Sequence, residues 1–355
     1  MMRSAEEILR AIRELRPAPV KLMEVCGTHT MAIARAGIKS LLPEGVELLS
    51  GPGCPVCVTP AELIDQILDL AMEPGVVIAS YGDMLRVPGS TPGDSLLRRR
   101  ALGARVEIVY SPVDAVELAR AEPEKEVVFL GVGFETTAPG TAAAVLTARE
   151  QGVRNFTLWS MLKLVEPALR ALMGMEGFEI RGFLCPGHVA TILGERGFRF
   201  LPEDYGMPAV ISGFEAEDIL LSVYALLRQI AEGRPRVQNE YRRAVSEKGN
   251  ELAQAMMRRA FRPTADLWRG LGRIEASGLA LREELADFDA RRRFGLEQLP
   301  APKPSACRCG QVITGRMGPS GCPLFGGRCT PEDPVGPCMV SSEGACAAAY
   351  KYQTV

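Results

Sequence analysis

Apolar and polar positions along the chain follow two alternating rhythms. Short runs rich in β-branched and aliphatic residues fall at Val20–Val25, Val46–Ser50, Val76–Ser80, Val106–Tyr110, Val127–Val132, Phe156–Trp159, Gly182–Leu184 and Ala209–Ser212, with helical spacing of apolar residues between them. The runs begin roughly every 25–30 residues, the length of a βα unit, and this predicts parallel sheets covered by helices. A break at Ser111–Lys125 separates four units from four more. The predicted fold class is therefore α/β, with two similar parallel-sheet domains at residues 1–115 and 116–230, the pattern an old duplication would leave. From Ile219 onward the strand signal stops. Helical periodicity runs through Leu227, Tyr241–Phe261 and Leu279–Phe288, so residues 231–355 are expected to form a helical, cysteine-rich domain.

Local signals fix some boundaries. Ser4 and Glu7 form a capping-box pattern for a first helix to about Leu15, closed by Pro17 and Pro19. Gly51-Pro52-Gly53-Cys54-Pro55-Val56-Cys57 is a stiff turn between a strand and a helix, with Thr59 as the expected N-cap, Pro60 opening the helix and Glu62 completing a box.

Composition narrows the class. At 355 residues, 47% of them apolar and 24% charged, the chain is of ordinary globular character and long enough for two or three cores. Lysine plus arginine (41) nearly balances aspartate plus glutamate (43), so nothing calls for a nucleic-acid partner. The first residues lack the apolar core of a signal peptide and no apolar run is long enough to span a membrane, so a cytoplasmic protein is expected. In a reducing compartment, ten cysteines imply metal binding, redox cycling or burial rather than structural disulfides.

Open α/β sheets bind ligands at the carboxyl ends of their strands. Those ends carry Cys26-Gly27-Thr28-His29, the Cys54/Cys57 loop, Tyr81-Gly82-Asp83, Gly133-Phe134-Glu135-Thr136-Thr137 and Cys185-Pro186-Gly187-His188. Both histidines of the chain stand three residues after a cysteine in such turns. Cys26, His29, Cys54 and Cys57 would suit iron or zinc; equally, Cys54 and Cys57 would suit a dithiol/disulfide switch beside a Cys26/His29 site. Cys185 reads as a buried structural thiol. His188 divides between a helix start and an active site, and Glu135 between a helix cap and a hydrogen-bonding role in a cleft. The last 49 residues hold six cysteines among many glycines and prolines, too little apolar content for a core without a metal centre. Cys322, Cys329, Cys338 and Cys346 are spaced too widely for zinc knuckles and favour a [4Fe–4S] cluster; spacing does not decide what Cys307 and Cys309 do. There is no P-loop.

Taken together, Cys26-Gly27-Thr28-His29, Gly51 through Cys57, Gly133 through Thr137, Pro186-Gly187-His188-Val189 and the run from Cys322-Pro323-Leu324-Phe325 to Cys346 resemble the signature motifs of the HypD family. These are iron–sulfur maturation factors of [NiFe]-hydrogenases, and the resemblance spans the chain in order. It implies an assembly scaffold for an Fe(CN)2CO unit, working with HypC and with HypE as cyanide donor. On that footing Cys26 would anchor the iron and His29 would lie beside it. Cys54 and Cys57 would be a redox dithiol fed by a [4Fe–4S] cluster on Cys322, Cys329, Cys338 and Cys346. Glu135 and His188 would complete the cleft. Such a scaffold is not a conventional turnover enzyme. The rival class is a free-standing iron–sulfur thiol–disulfide oxidoreductase; a zinc enzyme built on Cys26, His29, Cys54 and Cys57 is a third.

Overall fold

The computed structural model describes residues 4–301 and 305–352; residues 1–3, part of the N-terminal stretch read above, lie outside it. The first helix, Ala5–Glu14, starts as expected, with Ser4 Oγ accepting from the Glu7 amide. Eight strands follow the predicted runs: β1 (Val20–Glu24), β2 (Val46–Ser50), β3 (Val76–Ser80), β4 (Arg105–Ile108), β5 (Glu126–Gly133), β6 (Phe156–Leu162), β7 (Ile180–Pro186) and β8 (Ala209–Ser212). Three more were not expected: β9 (Val237–Asn239), β10 (Phe261–Trp268) and β11 (Gly272–Leu281).

The eight expected strands are not divided into the first four and the last four. One parallel sheet has the order β2-β1-β7-β8-β9 and the other the order β4-β3-β5-β6. The stretch 111–125, read from sequence as a break, instead carries the crossover helix Pro112–Ala121 between β4 and β5 of one sheet, started by a capping box of Ser111 and Asp114. The chain therefore begins one sheet, builds the whole of the second, and returns to finish the first. Two parallel sheets are present, as the spacing implies, because their strands carry apolar side chains on both faces. Leu22 of β1 packs with Ile8, Ile12 and Ile33 on one side, while Met23 joins Val25 and Phe183 on the other. Val76–Ser80 is buried throughout.

The expectation of a helical, cysteine-rich segment after residue 230 also needs correction. The helix Glu251–Ala260 leads directly into an antiparallel hairpin, β10–β11. That hairpin is stitched to the end of β6. Ser160 Oγ donates to Leu279 O, the Leu164 amide donates to Ser277 O (2.9 Å), and Lys163, fully buried, bonds Asp266 Oδ2 and Leu267 O while lying over the Trp268 ring. No helix among the described residues is long and apolar enough to cross a membrane.

Candidate functional site

Strand order decides where a site forms. In each sheet, successive crossovers leave in opposite directions from an adjacent pair, β1 and β7 in one, β3 and β5 in the other, and the crevice beyond such a pair receives ligands. Cys26–His29 follows β1 and Gly187-His188 follows β7, so residues 160 positions apart open onto one crevice. Phe214, just after β8, stands between the two histidines, its ring stacked on His29 at 4.6 Å and on His188 at 4.0 Å between centroids.

Cys26 is the N-cap of the helix Gly27–Arg35. Its amide donates to Glu24 Oε2 (3.0 Å), and Glu24 Oε1 accepts from Thr30 Oγ1. Burial holds the Glu24 carboxyl up at about 7 and the Cys26 thiol up at about 12; the His29 and Thr28 amides, aimed at the sulfur, oppose the latter. A cation bound there would reverse the balance, because amides and metal both favour the thiolate. His29 is fully buried, and burial lowers it to about 4, so it is neutral. Its Nε2–H donates to Gly213 O (2.8 Å), which leaves Nδ1 as a lone-pair nitrogen, buried and without a partner.

The turn after β2 presses on this segment. Gly53 O accepts from the Gly27 amide (3.1 Å), and a side chain at Gly53 would enter the Cys26 backbone. Cys54 and Cys57 are joined as a disulfide, Cα atoms 5.2 Å apart, with the Cys57 amide donating to Cys54 Sγ (3.1 Å). Thr59 does not cap the next helix. It donates instead to Pro55 O, tightening the disulfide turn, and Pro60 occupies the N-cap of the helix Ala61–Leu70.

The C-terminal segment closes over both. Ser341 Oγ, buried, lies 3.3 Å from Cys54 Sγ. Glu343 accepts from Thr28 Oγ1 (2.7 Å), its side chain filling the space beside Gly27, and Asp83, after β3, accepts from the Ser342 amide (3.0 Å). On either side of this docked turn, Cys338 and Cys346 contribute to a small apolar cavity lined also by Cys307, Cys309, Cys322, Cys329, Leu324, Phe325 and Met339. Among the described residues no three His, Cys, Asp or Glu side chains are already gathered into a metal-holding group. The donor set nonetheless fits an iron–sulfur cluster. Its donors are soft thiols, its walls are apolar, and the Val335 amide donates to Cys329 Sγ (3.3 Å). On the sequence motif, Cys322, Cys329, Cys338 and Cys346 would be the four that hold it, in a loop-rich segment of the kind that a metal centre orders. Cys307 and Cys309, their sulfurs 3.2 Å apart, share the same cavity.

Comparison with known proteins agrees with this arrangement of motifs. Residues 3–353 match the family model for HypD, described as the hydrogenase formation hypA family. The chain belongs to the HypD family of hydrogenase maturation factors. It is 45% identical to a hydrogenase maturation factor HypD of Rhodobacter capsulatus over 94% of this chain and 89% of that one. Against the HypD of Cupriavidus necator the identity is 45%, covering 98% and 94%, and against that of Escherichia coli K12 it is 43%, covering 99% and 96%.

Within this HypD-family chain, sequence reading missed four groups that complete the crevice: Glu24, Phe214, Ser341 and Glu343. Glu24 had a legible signal, an acidic residue inside an otherwise apolar strand end, whereas the others arrive from distant loops. Cys185 is fully buried, its thiol pushed up by burial, as befits a structural residue. Glu135 does not cap the helix Ala138–Glu150, which has Thr137 at its N-cap, but serves the first amide of another helix, Val165–Met173. Glu135 Oε1 accepts from the Val165 amide (2.9 Å), while Oε2 is buried without a partner.

Burial raises the Glu135 carboxyl from its ordinary 4.5 to about 7, the Val165 amide opposing. The folded protein thus binds a proton here that the unfolded chain has already released, and stability contributed by this group declines as pH rises from 4.5 through 7. Glu135→Gln keeps the bond to Val165 and removes the titration. Relative to the parent it is expected to gain about 3 kcal/mol between pH 4.5 and 8, read from urea unfolding at the two pH values.

Proposed function

We propose that this maturation factor is the scaffold on which an Fe(CN)2CO unit is assembled for a [NiFe]-hydrogenase, with HypC sharing the iron and HypE supplying cyanide. The observation that carries the reading is the contact of Ser341 with Cys54: the turn between two cavity thiols, Cys338 and Cys346, lies directly on the disulfide. The disulfide turn in turn packs against Cys26. Three sulfur sites thus form one connected series.

In this reading Cys26 anchors the iron as a thiolate, with the Thr28 and His29 amides directed at its sulfur. His29, neutral, offers Nδ1 toward the crevice. The Cys54–Cys57 disulfide takes up two electrons and two protons to become the dithiol, a reducing pair held beside Cys26. A cluster held by the tail cysteines would supply electrons one at a time. Glu135, protonated near neutrality, has an uncommitted Oε2 able to donate a hydrogen bond, and His188 stands across Phe214 from His29; both suit the holding of cyanide nitrogens or the movement of protons.

The test is an infrared spectrum of protein purified without oxygen together with HypC and HypE, in the region of metal-bound cyanide and carbonyl stretches. Bands are expected in the parent protein and none in Cys26→Ser. If the parent, its cluster intact, shows none, the remaining activity is that of a thiol–disulfide oxidoreductase.

A further inference from the structure

The tip of the β10–β11 hairpin, Trp268–Gly272, lies between the disulfide turn and the cysteine cavity. Arg269 donates from its amide to Val58 O (2.8 Å) and from Nε to Thr59 O (3.0 Å), one and two residues past Cys57. Nη2 of the same guanidinium is buried and has no partner. On the other side, Gly270 meets the chain at Gly310 so closely that a Cβ on Gly310 would sit 2.8 Å from the Gly270 Cα, which brings the hairpin tip against the Cys307–Cys309 segment. A cation that is bonded to the disulfide turn, one residue from the tip's contact with the Cys307–Cys309 segment and with a buried donor uncommitted, is unexplained by packing alone, since a buried unpaired N–H is costly.

We propose that Arg269 is a positioning residue that tunes the C-terminal sulfur centre: its charge raises the electron affinity of a cluster in the cysteine cavity, while its bonds to Val58 and Thr59 hold the disulfide turn in register with that centre. The inference rests on the function proposed above and adds a determinant of its driving force. A reduced cluster with thiolate ligands carries more negative charge than an oxidised one, so a nearby fixed cation favours reduction. At the effective dielectric of a protein, one unit charge near contact is enough to move such an equilibrium about tenfold.

The experiment is a dithionite titration with mediators, followed by electron paramagnetic resonance, of full-length protein with its cluster reconstituted anaerobically. In Arg269→Gln the reduction equilibrium is expected to move about tenfold toward the oxidised form, ~59 mV for one electron. Arg269→Lys, which keeps the charge, is expected to stay within twofold of the parent. A Gln variant within twofold of the parent overturns the proposal, and so does a Lys variant displaced as far as the Gln variant, since the loss would then be structural. A parent protein that takes up no cluster defeats the functional reading itself, and this inference with it; only the parent sample reports that outcome.

Discussion

Alanine at Gly53 is expected to cost about 3 kcal/mol of folding stability and, on the function proposed above, to disrupt iron anchoring at Cys26. An added Cβ would fall on the backbone of Val25 and Cys26, with no flexible side chain to give way. Overpacking of this kind costs up to about 3 kcal/mol where neighbours can shift, and here the neighbours are the end of β1 and the N-cap of a helix. Relief requires the two turns to separate, which also breaks the Gly27 amide bond to Gly53 O. The matched control is Gly82→Ala, whose Cβ meets nothing within 4 Å and whose backbone is not left-handed. It should change stability by less than about 1 kcal/mol, and in the stabilising direction. Urea unfolding of both variants checks the difference; equal stabilities would show that the two turns are not in forced contact.

The second large effect is expected at Lys163. Its side chain is wholly buried, pairs with Asp266 and donates to Leu267 O (3.0 Å), and so fastens the hairpin to the end of β6. Lys163→Ala leaves a half-buried carboxylate without its partner and opens space beneath Trp268. Removing one partner of a buried pair costs 3–5 kcal/mol; because Asp266 keeps some contact with water, about 3 kcal/mol is expected. Lys163→Met fills the space without the charge and should recover part of the loss. Loosening the hairpin should also free Arg269 from the disulfide turn, visible as faster amide hydrogen exchange at Arg269, whose N–H is otherwise held by Val58 O. Exchange as slow as in the parent, despite lost stability, would show that the hairpin tip is held independently of Lys163.

Much of this was legible along the chain, for identifiable reasons. The eight strands of the βα repeat show as compact apolar runs because parallel strands bury both faces, and the reactive residues stand out because each follows such a run. The disulfide turn announces itself by its glycines and prolines. The hairpin did not, since β10 is largely half-exposed, with Arg262, Pro263 and Asp266 among its residues, and follows a helix with no intervening loop. Its strongest sign was Gly270-Leu271-Gly272 between Trp268 and Ile274, both buried, with Gly270 and Gly272 in the left-handed region the turn requires.

Local sequence thus determined the βα alternation, the turns that carry Cys26, Cys54, Cys57, Glu135 and His188, and the cysteine-rich end. Only the tertiary structure decided that β1 lies against β7 rather than beside β3. A parallel strand carries no local mark of its neighbour, because its hydrogen bonds are generic and its partner is selected by how the covering helices pack, here Ala5–Glu14 against Ala216–Glu232. That long-range choice brings His29 and His188 to the two faces of Phe214, and the docking of Ser341 on Cys54 joins the C-terminal thiols to the same crevice.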